Sequence, residues 1–254
     1  MSLPFSVITI NYNNLKGLKR TFASVQAQTK RNSIEFIVID GGSSDGSAAF
    51  LEQHRSQINL LISEPDKGIY DAMNKGLKRA TGEYVWFVNS GDSIRDEKVA
   101  EKLLLLTNEK PDVVFGDTMF IDTEGHDLGL ISDLKPQGFP QKLDSRSFRF
   151  GMNICHQSFL VKRNLAPEYD LKYRQAADID WIVRILKFNP SNLRANFVVS
   201  NFETGGSSYQ NASKAWKERY RVLSEHYGAF TNLVNHMWIF TRRFLFNLKS
   251  KPKV

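Results

Sequence analysis

The chain has 254 residues, 41% of them hydrophobic and 24% charged, which suits one large globular domain or a domain with an appendage. Its formal charge is +7, but residues 213–254 hold nine Lys/Arg and two Asp/Glu, whereas residues 1–212 hold 25 of each sign. Because the excess charge belongs to the C-terminal segment, the composition excludes the broad basic surface of a nucleic-acid-binding protein.

Cysteine content and hydropathy indicate where the protein resides. The single cysteine, Cys155, excludes a disulfide framework and is typical of a reducing cytosol. The N-terminus lacks the pattern of a signal peptide, and no apolar run approaches the ~18 residues that span a membrane. We therefore expect a cytoplasmic protein.

The first 110 residues alternate between strand and helix patterns. Apolar, β-rich runs cover residues 5–11, 34–40, 58–63 and 84–88, and each is followed by apolar residues at helical spacing. Such alternation with short connections predicts an α/β fold with a mainly parallel, doubly wound sheet. Ligands bind at the carboxyl ends of the strands in sheets of this kind.

Residues 84–92 (YVWFVNSGD) combine a buried strand with a polar ending. The apolar run has no alternation, which is typical of a strand covered on both faces. Gly91 permits a tight turn and leaves Asp92 at the carboxyl end of the strand. A carboxylate there can hold a divalent cation, which in turn can hold a diphosphate. The alternative is that Asp92 caps a helix predicted over residues 96–107.

Three further acids lie at strand ends or helix starts, and we expect them at the same edge: Asp40, Asp45 and Asp178. Two glycines follow Asp40 and let the backbone approach a ligand closely, so Asp40 could accept hydrogen bonds from a nucleobase or ribose. Asp45 better suits a structural role in its loop. Neither the dinucleotide-binding nor the P-loop glycine pattern occurs.

The regular alternation ends after about residue 110. Patterns predict a strand over 112–120 with a hairpin turn at 122–125, strands over 158–161 and 193–202, and a helix over 177–188. Residues 132–149 form a long segment with Pro, Gly and Lys, which is typical of a functional loop.

The C-terminal segment 213–254 predicts an amphipathic helix with a candidate break at Gly228. Its apolar residues recur at steps of four and three: Trp216, Tyr220, Leu223, Tyr227, Phe230, Val234 and Met237. The stripe could pack on the body or on another subunit of a homo-oligomer. The concentration of positive charge favours a second interpretation, in which the aromatic side enters a membrane interface and the basic side meets anionic lipid.

Four N-terminal motifs occur in an order typical of one enzyme family: residues 6–13 (SVITINYN), 39–47 (IDGGSSDGS), 64–76 (EPDKGIYDAMNKG) and 80–84 (ATGEY). Together they resemble the signature of family 2 glycosyltransferases, and in particular of the bacterial capsule and colanic-acid branch. The resemblance implies the GT-A fold. It divides the chain into a nucleotide-binding half over 1–110, an acceptor and catalytic half over 111–212, and the basic tail over 213–254.

The resemblance also implies roles for individual residues. The nucleotide and its diphosphate are expected to contact Asn11, Tyr12, Asp40, Gly41, Asp66, Lys67, Gly68, Asn89, Ser90 and Gly91. Asp92 is the implied ligand of a divalent cation, Mn²⁺ or Mg²⁺, and Asn89 stands where the family often has a second carboxylate. His156, in a segment that matches the sugar-binding region, is a candidate substrate contact or a structural residue.

The catalytic base of the family is the Asp of a Glu-Asp pair at a helix start. The matching stretch here, residues 176–181 (AADIDW), lacks the Glu and offers Asp178, with Asp180 as the second choice. Residues two apart on a helix face different sides, so only one of the two acids can enter the site.

The resemblance therefore implies an inverting, metal-dependent glycosyltransferase of the hexosyltransferase type. It would move a sugar from a nucleotide sugar, with UDP the expected nucleotide, to a glycan or lipid-linked acceptor in cell-surface polysaccharide biosynthesis. Peripheral attachment to the inner face of the plasma membrane would follow if the tail binds lipid. Two alternatives are a sugar nucleotidyltransferase, whose Gly-rich phosphate-binding signature is not found near residues 11–20, and a catalytically inactive nucleotide-sugar-binding module.

Overall fold

The computed structural model describes residues 3–134, 138–152, 154–206 and 212–249, and for residues 246–249 it describes the backbone. Within these ranges the strands are β1 Phe5–Asn11, β2 Ile34–Asp40, β3 Leu60–Ser63, β4 Tyr84–Phe87, β5 Ser93–Ile94, β6 Val113–Ile121, β7 Asp127–Leu130, β8 Phe159–Lys162 and β9 Asn192–Glu203. The helices are α1 Leu15–Gln26, α2 Ser47–Gln53, α3 Ile69–Arg79, α4 Val99–Thr107, α5 Ile131–Leu134, α6 Ala177–Leu186, α7 Ala212–Tyr227 and α8 Ala229–Lys249.

The strands form one mixed sheet in the order β3-β2-β1-β4-β8-β6-β9-β5, with β7 paired to β6. The N-terminal strands β3, β2, β1 and β4 are parallel. Strand β8 runs antiparallel to both β4 and β6, and β9 is parallel to β6. Helices flank the sheet, so the predicted α/β class is confirmed.

Alternating side chains of the central strands pack into two separate apolar cores. Ile8, Ile37 and Phe87 belong to one cluster, whereas Val7 and Phe36 belong to the other. A strand that is buried on both faces has an uninterrupted apolar sequence, which explains why these runs show no alternation.

The register aligns the strand ends that carry polar residues. Asn11 pairs with Asp40 across β1 and β2, and Asp40 pairs with Ser63 across β2 and β3. The first site residues therefore lie side by side at the carboxyl edge of the sheet, as the parallel arrangement predicts.

The structure corrects the sequence interpretation just after Asp92. Residues Ser93 and Ile94 form β5, which pairs with Asn201 and Ser200 of β9. Helix α4 begins only at Val99 and has no side-chain cap. The alternative that Asp92 caps this helix is therefore wrong.

The tail forms two helices, α7 and α8, that meet at Gly228 with a φ of 87°. Glycine adopts this left-handed conformation without the penalty a side chain brings, so the predicted break is confirmed. Within the described part of the chain, no helix is long and apolar enough to cross a membrane.

Candidate active site

Asp40 lies at the centre of the polar edge of the sheet, and both of its carboxylate oxygens accept hydrogen bonds. It is buried and accepts hydrogen bonds from Asn11 Nδ2 (2.8 Å), Ser63 Oγ (2.8 Å) and both the hydroxyl and the amide of Ser43 (2.6 and 3.0 Å). Burial opposes ionisation, but the donors from Ser43, Asn11 and Ser63 outweigh it and lower the pKa of Asp40. Asp40 is thus a stable carboxylate that holds the neighbouring polar groups in place.

Asn11 Oδ1 is a hydrogen-bond acceptor without a donor at this edge. Its amide donates to Asp40, which fixes the orientation of the side chain, and its buried Oδ1 has no hydrogen-bond partner among the described residues. A buried acceptor without a donor is uncommon in folded proteins. Asn11 Oδ1 is therefore suited to accept a hydrogen bond from a ligand.

Tyr12, Gly41 and Asp66 come together beside it. A Cβ at residue 41 would lie 2.5 Å from Asp66 Oδ2 and 3.2 Å from Tyr12 Cδ2, so a side chain there would displace the Asp66 carboxylate. The ring of Tyr12 is 65% exposed and offers a surface on which a flat base can stack. Residues from three distant motifs therefore lie together at one edge.

The turn of Asp66, Lys67 and Gly68 precedes helix α3. Asp66 Oδ1 accepts from the Gly68 amide at 2.8 Å, and Asp71 Oδ2 accepts from the Lys67 amide at 3.0 Å. Gly68 has a φ of 120°, which a side chain would disfavour. These bonds fix the turn and leave the Lys67 side chain exposed.

Asp92 lies at the end of a tightly held turn over residues 89–92. Gly91 has a φ of 104°, and the Asp92 amide donates to the Asn89 carbonyl at 2.9 Å. The carboxylate is 5% exposed and accepts from Gln157 Nε2 (2.8 Å) and from the Glu203 amide (3.0 Å). Burial raises the pKa of Asp92 to about 7, although these donors act in the opposite direction.

The described residues contain no cluster of three or more His, Cys, Asp or Glu side chains placed to hold a metal ion. Asp92 nevertheless keeps lone pairs on both oxygens, because each accepts one protein hydrogen bond. Asn89 Oδ1 is buried and has no donor in the part of the chain that the structure describes. Magnesium needs only one or two protein oxygens when phosphates supply the others. Asp92 and Asn89 therefore fit a cation that arrives with a diphosphate.

Asp178 stands in the first turn of α6 and is half-buried. Its Oδ1 accepts a hydrogen bond from Tyr70 Oη at 3.2 Å. Burial raises the pKa of Asp178, and the Ile179 amide, the Tyr70 hydroxyl and the charge of Arg219 moderate the rise. A carboxylate with a raised pKa is a stronger base, which suits the role predicted for Asp178.

Asp180 points to the other side of α6, as the helical geometry predicts. Its oxygens pair with Arg184 Nε at 2.7 Å and with His226 Nε2 at 2.8 Å. Burial raises the pKa of this carboxyl, but the hydrogen bonds from His226 and Arg184 produce a net lowering. With both oxygens engaged, Asp180 is a structural partner of α7 in this structure.

His156 lies inside an aromatic cluster. It is 3% exposed, stacks on Phe87 at 5.1 Å and contacts Tyr169 Oη through Nε2 at 2.5 Å. Burial lowers the pKa of His156 to about 3, so the ring is neutral. This placement favours the structural alternative over direct contact with a substrate.

Four residues of the site were not singled out by their sequence patterns: Tyr70, Gln157, Glu218 and Arg219. Tyr70 lies within the motif of residues 64–76 and holds Asp178, whereas Gln157 follows His156 and holds Asp92. Tyr70 stacks on Tyr169, and Tyr169 contacts His156, the neighbour of Gln157. A continuous chain of contacts therefore joins the two acids.

Glu218 and Arg219 come from the tail helix α7. The Glu218 carboxylate accepts from the amides of Arg174, Gln175 and Ala176, which immediately precede α6. Arg219 is half-buried and forms no hydrogen bond or ion pair with another described residue. Burial lowers its pKa, while the nearby charge of Asp178 raises it. The start of α6 therefore depends on α7, which no local signal in the sequence reveals.

The pattern of one family, described as Glycosyl transferase family 2, matches residues 6–169, which span the edge, the turn at Asp92 and the aromatic cluster. The chain belongs to this family. It is a glycosyltransferase, as the motifs at residues 6–84 predicted.

Relatives along nearly the whole chain are also named glycosyltransferases. An uncharacterized glycosyltransferase of Mycobacterium tuberculosis is 33% identical over 248 residues, which cover 94% of this chain and 91% of the relative. A PGL/p-HBAD biosynthesis glycosyltransferase of the same species is 28% identical over 226 residues, with 85% and 83% covered. Both likenesses extend past residue 169 into the second half of the chain, because they cover most of its length.

Solved structures share the fold at low sequence identity. Residues 1–349 of TarS from S. aureus, in complex with UDP-GlcNAc, superpose with a TM-score of 0.68 at 17% identity, covering 98% of this chain and 77% of TarS 1–349. The mannosyltransferase PcManGT from Pyrobaculum calidifontis, in complex with GDP-Man and Mn²⁺, gives a TM-score of 0.65 at 16% identity, with 95% and 73% covered. The predicted GT-A fold is therefore confirmed.

Proposed function

We propose that this family 2 glycosyltransferase is a hexosyltransferase that uses a nucleotide sugar, with UDP as the nucleotide, and inverts the anomeric centre. The acceptor is a hydroxyl of a glycan or lipid-linked glycan in cell-surface polysaccharide biosynthesis, as in the capsule branch. The observation that carries the proposal is the hydrogen bond between Tyr70 and Asp178. Tyr70 follows Gly68 by two residues, so this bond supports the assignment of Asp178 as a base beside the turn assigned to the nucleotide.

The edge formed by Asn11, Tyr12 and Asp66 binds the nucleotide. Asn11 Oδ1 accepts a hydrogen bond from an N–H group of the base, and Tyr12 stacks on its ring. Asp40 takes no direct part in this arrangement, since its oxygens hold Asn11, Ser43 and Ser63. A preorganised edge converts nucleotide binding into orientation of the sugar.

Asp178 acts as the general base. It removes the proton of the acceptor hydroxyl while the hydroxyl oxygen attacks the anomeric carbon from the side opposite the diphosphate. One displacement of this kind inverts the anomeric configuration. Tyr70 holds the carboxylate in place, and the raised pKa of Asp178 increases its basicity.

The charge of the departing diphosphate requires stabilisation. A divalent cation held by Asp92 and Asn89 would neutralise part of this charge when bound. Arg219 lies instead on the side of Asp178, where its charge favours the ionised form of that carboxyl. Support for a cation comes from the free lone pairs of Asp92 and from the Mn²⁺ in the complex of PcManGT.

A thermal-shift titration with UDP, GDP, CDP and their sugars, in Mn²⁺, Mg²⁺ or EDTA, tests the donor. A nucleotide at about 100 times its Kd adds about 2.7 kcal/mol to the free energy of unfolding, which raises Tm by several degrees. We expect UDP and a UDP-sugar to give the largest shift, and the cation to increase it. If no nucleotide diphosphate raises Tm, the proposal fails.

A second measurement separates an enzyme from a binding module. UDP release from a UDP-sugar, with and without an extract of lipid-linked glycans, reports turnover directly. Tight UDP binding, with no release of UDP from the UDP-sugar under any cation, would favour the inactive module.

A further inference from the structure

Helix α8 exposes its apolar side to solvent and buries its polar side. Phe230, Leu233, Val234, Met237 and Phe244 recur at steps of three, four and seven along α8, so they share one face. Each is 50–79% exposed. Trp238, Phe240 and Leu245, also at least half exposed, widen this stripe. We call these eight residues the apolar face of α8.

The opposite side of α8 is polar and packed. Asn232, Asn235 and His236 are 0%, 7% and 5% exposed. Asn232 donates to the Tyr220 carbonyl and to Ser224 Oγ on α7, at 3.0 and 2.8 Å. A surface helix of a globular protein normally shows the reverse arrangement, with its apolar stripe toward the core. The orientation of α8 is therefore fixed by polar contacts that point its apolar face outward.

We propose that the apolar face of α8 docks the protein on an anionic lipid bilayer. The helix contains three basic residues and no acid, and residues 213–254 carry nine basic and two acidic side chains. Large apolar side chains on one face of a basic helix are what binding in the plane of an interface requires. Each cation near an anionic surface adds to the attraction.

A second copy of the chain fits this face less well. Packing two copies through this face would bring together two segments 213–254, each with nine basic and two acidic side chains. Repulsion between like charges disfavours such an arrangement, whereas anionic head groups neutralise the same charges. The charge of α8 therefore selects the lipid surface as its partner.

The docked face is close to the catalytic helix. Phe240 stacks on Trp216 of α7 with ring centroids 5.4 Å apart. Trp216 precedes Arg219, the charge beside Asp178, by three residues, or about 4.5 Å along the axis of α7. The bilayer would thus lie next to the site of transfer, as a lipid-linked acceptor requires. Only the placement of the bilayer next to the site of transfer rests on the proposed function.

Vesicle flotation of the full chain tests the docking. We expect wild-type protein to float with vesicles of phosphatidylcholine and about 30% phosphatidylglycerol, more weakly with pure phosphatidylcholine, and less at high salt. The double variant Trp238→Ser/Phe244→Ser should bind anionic vesicles at least about tenfold more weakly, since two side chains lose their transfer from water. Its Tm should stay unchanged, because both side chains are exposed.

Phe188→Ser provides the matched control. Phe188 is 75% exposed but lies on the body just after α6, so its loss should leave flotation unchanged. Equal loss in this control, or no flotation of the wild type at low salt, overturns the proposal. Dimers that the double variant abolishes, without vesicle binding, would assign the face to a second copy instead.

UDP release without lipid, measured on the same samples, keeps the two proposals apart. The double variant should retain it, because neither residue belongs to the site. Flotation without UDP release in any sample would leave the docking intact and refute the proposed function. UDP release without flotation would leave the proposed function intact and refute the docking.

Discussion

Tyr70 Oη donates a hydrogen bond to Asp178 Oδ1 at 3.2 Å, and this contact joins α3 to the first turn of α6. Tyr70 belongs to α3, which follows the turn of residues 66–68, and Asp178 belongs to α6, 108 residues further along the chain. Removing the hydroxyl should raise the pKa of Asp178, because the bond favours the charged carboxylate. Tyr70→Phe should therefore shift the acidic limb of the kcat/KM profile to higher pH. An unchanged limb would mean that Tyr70 does not act through Asp178.

Replacing the two acids of α6 should have different effects on turnover and stability. Asp178→Asn should lower kcat by about 10²–10⁴ with little effect on Tm, since a general base is lost. Asp180→Asn should instead leave His226 and Arg184 without their partner and lower the free energy of unfolding by about 3 kcal/mol. Steady-state kinetics and thermal denaturation of both variants check the assignment. Near-normal turnover in Asp178→Asn would rule out this base.

Gly41 should affect nucleotide affinity because its lack of a side chain leaves room for Asp66. Gly41→Ala places a methyl group 2.5 Å from Asp66 Oδ2, so the Asp66 carboxylate, which holds the Gly68 amide, has to shift. We expect about a tenfold rise in the Kd of UDP by calorimetry, which corresponds to about 1.4 kcal/mol. Gly206→Ala is the matched control, because its Cβ would meet no atom within 4 Å. Equal effects in both variants would show that residue 41 has no special role.

His156 should make the protein acid-sensitive. Its pKa is about 3 in the folded state, against about 6.5 when unfolded, so the unfolded chain binds an extra proton between these values. This contribution to stability is complete above pH 6.5 and declines as pH falls toward 3, by up to about 1.4 kcal/mol per pH unit. His156→Gln, which can still contact Tyr169, should flatten the dependence of unfolding free energy on pH in this window. An equally steep slope in the variant would assign the effect to other groups.

The sequence was most informative where structure is set locally. The apolar runs around Ile8, Phe36 and Trp86 predicted buried parallel strands, and the register then aligned Asn11 with Asp40. A strand of two residues has no periodicity, so β5 was missed and a helix was expected close to Asp92. Its pairing with β9 joins positions about a hundred residues apart, which no local pattern encodes.

The sequence patterns also did not predict the side-chain partners that come from distant segments. Nothing near Asp92 indicates that Gln157 and the Glu203 amide engage both of its oxygens. The periodicity of the tail predicted an amphipathic helix broken at Gly228, but not which side of α8 faces solvent. That choice depends on the polar contacts of Asn232 with α7, which become visible only in three dimensions.

The bonds from Glu218 to the three amides before α6 have a thermodynamic consequence. Those amides stand where the helix carrying Asp178 begins, so ordering α7 and ordering that helix start are coupled in free energy. Any ligand that binds the α7–α8 pair only when it is folded stabilises the start of α6 by the same linkage. The apolar face of α8 and the carboxylate of Asp178 thus belong to one cooperative unit.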